Sequence, residues 1–119
     1  MQKAILLAAL WVFGSAADAT SLKDFWSSRA PDDPHFQSAK SSLALEECIA
    51  LEVSEKVGVP TIIHGDGETL ITGITPGIVP QPIAGARIVD HGTSREVSVG
   101  ALRSGGLRDK VSAVVQRCI

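Results

Sequence analysis

Ala86-Arg87-Ile88-Val89-Asp90-His91-Gly92-Thr93-Ser94-Arg95-Glu96-Val97-Ser98-Val99-Gly100-Ala101 is two alternating runs on either side of a glycine-led turn. Glycine as the first central residue of a two-residue loop suits a type II′ hairpin, whose backbone twist matches that of the flanking strands. Folding the stretch about Gly92-Thr93 sets Asp90 opposite Arg95, Ile88 opposite Val97 and Ala86 opposite Val99. Apolar then meets apolar and acid meets base, which fixes the register and makes the pairing antiparallel.

The preceding residues repeat this logic. Two runs, 61–64 and 68–73, flank Gly65-Asp66-Gly67, and Asp-Gly is a strong tight-turn dipeptide. Joining the hairpins, 73–85 holds Pro76, Pro80 and Pro82 among apolar Ile74, Ile78, Val79 and Ile83. Proline withholds a ladder donor, so no central strand is expected there. The stretch reads as an apolar loop that lies over the core edge or presents Ile78, Val79 and Ile83 to a partner. Within it, Gln81-Pro82-Ile83-Ala84-Gly85 resembles the Gln-x-Val-x-Gly loop of cystatin-type protease inhibitors, with isoleucine for valine and without that family's later Pro-Trp element. The resemblance implies a protease-inhibitor loop at these residues.

A helix is expected on each side of the hairpins. Over 42–57, Leu45, Cys48, Ile49, Val53 and Val57 fall three or four apart on one face, with Glu46, Glu47, Glu52 and Glu55 around the rest. Ser41 or Ser42 supplies the cap, and Gly58 with Pro60 ends the run. Over 107–119, Leu107, Val111, Val114, Val115 and Cys118 form the stripe, flanked by Arg108, Lys110 and Arg117. One helix is acidic and the other mostly basic, and the only two cysteines sit on or beside the buried stripes. The expected fold is therefore α+β in two layers, of order α-β-β-β-β-α: a four-stranded antiparallel sheet with both helices on one face, joined by a Cys48–Cys118 disulfide.

Ahead of this domain, 41–119, the chain changes character. Lys3, the apolar run 4–13, the Gly14-Ser15 break and Ala17-Asp18-Ala19 make residues 1–19 an expected cleaved signal peptide, too short in its apolar run to span a bilayer. Residues 20–40 read as a flexible leader carrying Phe25 and Trp26, which either contact a partner or pack back onto the domain. An exported chain with one disulfide is expected in the periplasm, with full secretion as the alternative.

A net charge of −2 without a Lys/Arg cluster, and a domain without stacking aromatics, argue against nucleic-acid binding. No Cys-x-x-Cys, glycine-rich phosphate loop or zinc-protease motif occurs, no cofactor is implied, and no catalytic residue is assigned. If the first and third turns share one end of the sheet, His64, Asp66 and Glu68 approach His91, a donor set that suits zinc. Two functions follow as alternatives: a non-enzymatic interaction module with an envelope protein partner, or a small metal-dependent or hydrolytic enzyme built on His64 and His91. The export signal, the early Cys-Ile in a helix, the Gly/Val-rich hairpins and the terminal Cys-Ile together resemble small exported proteins of Gram-negative bacteria, over about residues 43–119. That resemblance implies the periplasm and brings no activity with it.

Overall fold

The computed structural model describes residues 22, 24–27, 34–75, 81–101 and 105–119. The signal peptide expected at 1–19, and Ile78 and Val79, lie outside them. The elements run β1 (His35–Ser38), α1 (Ser42–Lys56), β2 (Val59–Gly65), β3 (Glu68–Thr75), β4 (Gln81–Asp90), β5 (Arg95–Ala101) and α2 (Gly105–Cys118). All strand pairs are antiparallel, in the order β1-β5-β4-β3-β2.

The hairpin register follows the alternation in the sequence. Asp90 faces Arg95, Ile88 faces Val97 and Ala86 faces Val99. Gly92 takes φ +91°, the left-handed region that a first central turn position requires and that costs glycine no Cβ clash. The Arg95 guanidinium returns to the Asp90 carboxylate at 3.3 Å.

Among the described residues the sheet has five strands, not four. The additional strand, β1, comes from the stretch whose composition reads as leader. His35 pairs with Ser98 and Phe36 with Val97 along the open side of β5, and the Val99 N–H donates to the Pro34 carbonyl at 3.0 Å. A four-residue strand is too short to carry a period of its own, so its signal lies in the exposed edge of β5 that it covers.

A second departure concerns Gln81–Gly85, which is the first half of β4 and not an inhibitor-like loop. Proline is accommodated here because the β4–β5 register begins only at Ala84, so Gln81, Pro82 and Ile83 run past the end of β5. On the β3 side the register shifts between Gly73 and Ile74, a bulge that leaves Ile83 unmatched beside Pro82.

Both helices lie on one face of the sheet. Leu45, Ile49 and Val53 of α1 and Val111, Val114, Val115 and Cys118 of α2 close over Ile71, Ala84, Ala86, Ile88, Val97, Val99 and Ala101 in one buried cluster. The cluster is wholly aliphatic apart from Cys118, with Phe36 packed at its side. Ser41 caps α1 by accepting the Ala44 N–H on its hydroxyl at 3.1 Å, and the Val57 and Gly58 N–H groups close the other end onto the Val53 carbonyl. Lys40 donates from Nζ to the Cys118 carbonyl at 2.9 Å, satisfying an orphan acceptor at the negative end of α2.

Between the helices Cys48 and Cys118 are bonded, their Cα atoms 5.8 Å apart. Nearby, the Glu52 carboxylate accepts from Lys56 on its own helix and from Arg117 Nη2 of α2 at 3.1 Å. Lys56 foremost, with Arg117, holds the Glu52 carboxyl below the usual carboxylate range. Its folded pKa being depressed, the tie is complete above the unfolded pKa and is lost as pH falls through the folded one.

Candidate functional site

The registers also define the other face of the sheet. Thr61 lies opposite Thr72, Thr72 opposite Gly85, and Gly85 opposite Gly100, so one row across four strands holds only small side chains. The next row is taller: Ile63, Leu70, Arg87, Ser98 and His35. Two threonines and two glycines beside a row of long side chains make a shallow trough running across the strands. Gly85 is fixed here by a close approach, since a Cβ on it would stand 2.1 Å from the Ile71 carbonyl oxygen.

Leu22 and residues 24–27, ahead of β1, dock onto this face. Residues 24–27 form a helical turn, and the Trp26 indole N–H donates to the Thr72 hydroxyl at 2.9 Å. Thr72 is itself buried, so the bond satisfies a hydroxyl that burial would otherwise penalise. The Phe25 ring stands edge-on to the indole, centroids 5.3 Å apart, and is only 4 % exposed. Leu22 is equally buried. Of the alternatives open for Phe25 and Trp26 in the sequence, the structure places them against the domain.

Docking leaves an open groove of about 400 Å³ beside the indole, lined by Leu22, Trp26, Ser27, Ile63, Leu70, Glu68 and Arg87. Its wall is mainly apolar, and an Arg87–Glu68 ion pair with a 2.6 Å contact stands at its rim. An aromatic base, aliphatic sides and a neutralised charged rim suit apolar contact with another chain.

The turn residues do not assemble into a second site. His64 is on the helix side of β2, where its Nε2 meets the Glu46 carboxylate of α1. Glu68 is on the trough side with Arg87, and Asp66 and His91 are exposed in separate turns. Among the described residues no three His, Cys, Asp or Glu side chains are arranged to hold a metal ion. Replacing His64 and His91 with alanine together is therefore expected to cost no more than about 0.5 kcal/mol each in thermal unfolding, as at ordinary surface positions. Calorimetry of the double variant reads this directly.

Ile83 is half-buried at the β4 bulge. Thr72, Leu70, Arg87, Gly85 and Gly100 escape sequence reasoning. The pairing of Gly85 with Gly100 follows from the same hairpin register as Asp90 with Arg95, which is the signal available for it. Among the described residues no helix is long and apolar enough to cross a membrane. Comparison of this chain with protein-family models, with curated proteins and with solved structures finds no match.

Proposed function

We propose that this chain is an exported, non-enzymatic protein-interaction module of the periplasm, and that its binding surface is the trough face of the sheet with the aromatic segment docked on it. One observation carries the reading: a half-buried indole hydrogen-bonded to a threonine in the trough, beside an apolar groove that remains open. A sheet face that already holds an aromatic segment has the small-residue relief and the polar anchor that recognition of another chain uses. The Cys48–Cys118 bond fits an oxidising compartment, which favours the periplasm, with full secretion as the remaining alternative.

A photo-crosslinking residue at Leu70, in the groove, is expected to capture one discrete envelope protein in living cells. The same probe at Leu51, exposed on the helix side, is expected to yield only diffuse background. Equal labelling from the two positions would count against the trough as the binding face, and periplasmic fractionation of the unlabelled protein tests the compartment separately.

A further inference from the structure

The open edge of β2 has a donor and acceptor pattern of its own. Asp90 donates its N–H to the Gly67 carbonyl at 2.8 Å, so Gly67 and the odd-numbered residues of β3 turn their backbone groups toward β4. The even-numbered residues of β3 then bond to β2 through their partners Val59, Thr61, Ile63 and Gly65. Pro60, Ile62 and His64 present their backbone groups outward, and among the described residues no strand pairs with them. Proline stands where its missing N–H breaks no bond within the protomer.

Proteins usually blunt such an edge with charged side chains. In a chain with 20 % charged residues, β2 contains no Asp, Glu, Lys or Arg. Its one titratable side chain, His64, is matched within the protomer by Glu46. The strand nevertheless exposes apolar surface: Val59 is 56 % exposed, Ile62 37 % and Ile63 36 %. Leu43, one turn before Glu46 and so on the same side of α1, is 62 % exposed.

We infer that β2 is a self-association edge, which pairs antiparallel with β2 of a second copy about a two-fold axis at Ile62. This registration makes two Ile62 N–H to Ile62 carbonyl bonds and two from the His64 N–H to the Pro60 carbonyl. The donor that Pro60 lacks leaves one carbonyl unmatched on each side, that of His64. No like charges meet across the axis, since the strand carries none and each histidine has its own glutamate. On the trough side Thr61 lies against the partner's Ile63, and on the helix side the two Ile62 side chains meet. Each groove then ends against the neighbouring copy. The inference stands on the edge geometry and not on the trough as a binding face. One strand per protomer falls short of the about 800 Å² per partner of a standard stable interface, so the dimer is weak, on the order of 10–500 µM.

Sedimentation velocity of the purified protein over about this concentration range is expected to show a monomer–dimer equilibrium. Ile62→Lys, which sets two like charges across the axis, is expected to raise the dissociation constant at least about tenfold while leaving circular dichroism and Tm unchanged. Register is read by mixing single variants. Thr61→Cys and Ile63→Cys together are expected to form an intermolecular disulfide under mild oxidation, and neither does so to the same extent alone. Sedimentation that remains monomeric throughout, a dimer indifferent to Ile62→Lys, or equal crosslinking in the unmixed variants would each overturn the assignment. A strand supplied by a different protein corresponds to the first of these outcomes.

Discussion

Cys48→Ser is expected to lower the unfolding free energy by about 4 kcal/mol in chemical denaturation, the largest effect of any single substitution in this chain. The bridge closes a loop of sequence separation 70, and the entropy withheld from the unfolded chain grows with the logarithm of loop length. A domain of this size has only about 5–15 kcal/mol in total, so the bond accounts for a large share of it. Its dependence is sharpened by the packing, because the cluster beneath the helices is filled by valine, isoleucine, leucine and alanine without an aromatic ring at its centre. Among the described residues a side-chain tie between the helices besides the bridge is the Glu52–Arg117 pair, which is exposed and screened and so adds little. Cys48→Ser is accordingly expected to export poorly and to be degraded. Reduced wild-type protein should match its denaturation midpoint, which separates the bond from any packing effect of the serine. An unchanged midpoint, or titration of two free thiols in the unreduced protein, would contradict the bridge as the stabilising element.

The parts of this fold that are legible in the sequence are those with strong local signals. Asp90 opposite Arg95 follows from one glycine-led turn and a period of two. The extents of α1 and α2 follow from apolar spacing, a serine cap and Gly58. What escapes is set by long-range pairing. β1 is four residues whose reason for extending is the bare edge of β5, on the far side of the chain. The first half of β4 is hidden by Pro82, and the structure answers that proline with a bulge and with a β5 that ends short of it. The trough is hidden for the same reason. Thr61 with Thr72 and Gly85 with Gly100 are each implied by a tight turn, but aligning these pairs into one row needs the β3–β4 register. Residues 73–85 joined by no tight turn leave that register open to the sequence reader. Phe25 and Trp26 stand out in the sequence as rings able to contact a partner or pack back onto the domain, whereas the trough that receives them does not.

Phe25→Ala with Trp26→Ala carries the second large expectation, a loss of about 1–3 kcal/mol in unfolding free energy. Truncating a buried aromatic in a closed core costs about 3–5 kcal/mol. Here the loss is limited by an escape open only to a docked segment: Leu22 and residues 24–27 can leave the face, so no more is lost than their docking free energy. The polar and apolar parts can be separated. Trp26→Phe keeps a ring in the trough and removes the indole N–H, stranding the Thr72 hydroxyl, at about 1 kcal/mol. Thr72→Val removes the acceptor instead, and the double variant closes a cycle whose coupling measures the bond. Fluorescence reports the position of the segment. The chain has two tryptophans, so in a Trp11→Phe background the remaining indole reads this site alone. Its emission should be blue-shifted in the native protein, and should move to longer wavelength in Thr72→Val if that hydrogen bond positions the ring. An additive cycle with an unshifted spectrum would mean that the indole rests on the sheet without being held there, and the trough would then lose its polar anchor as a basis for recognition.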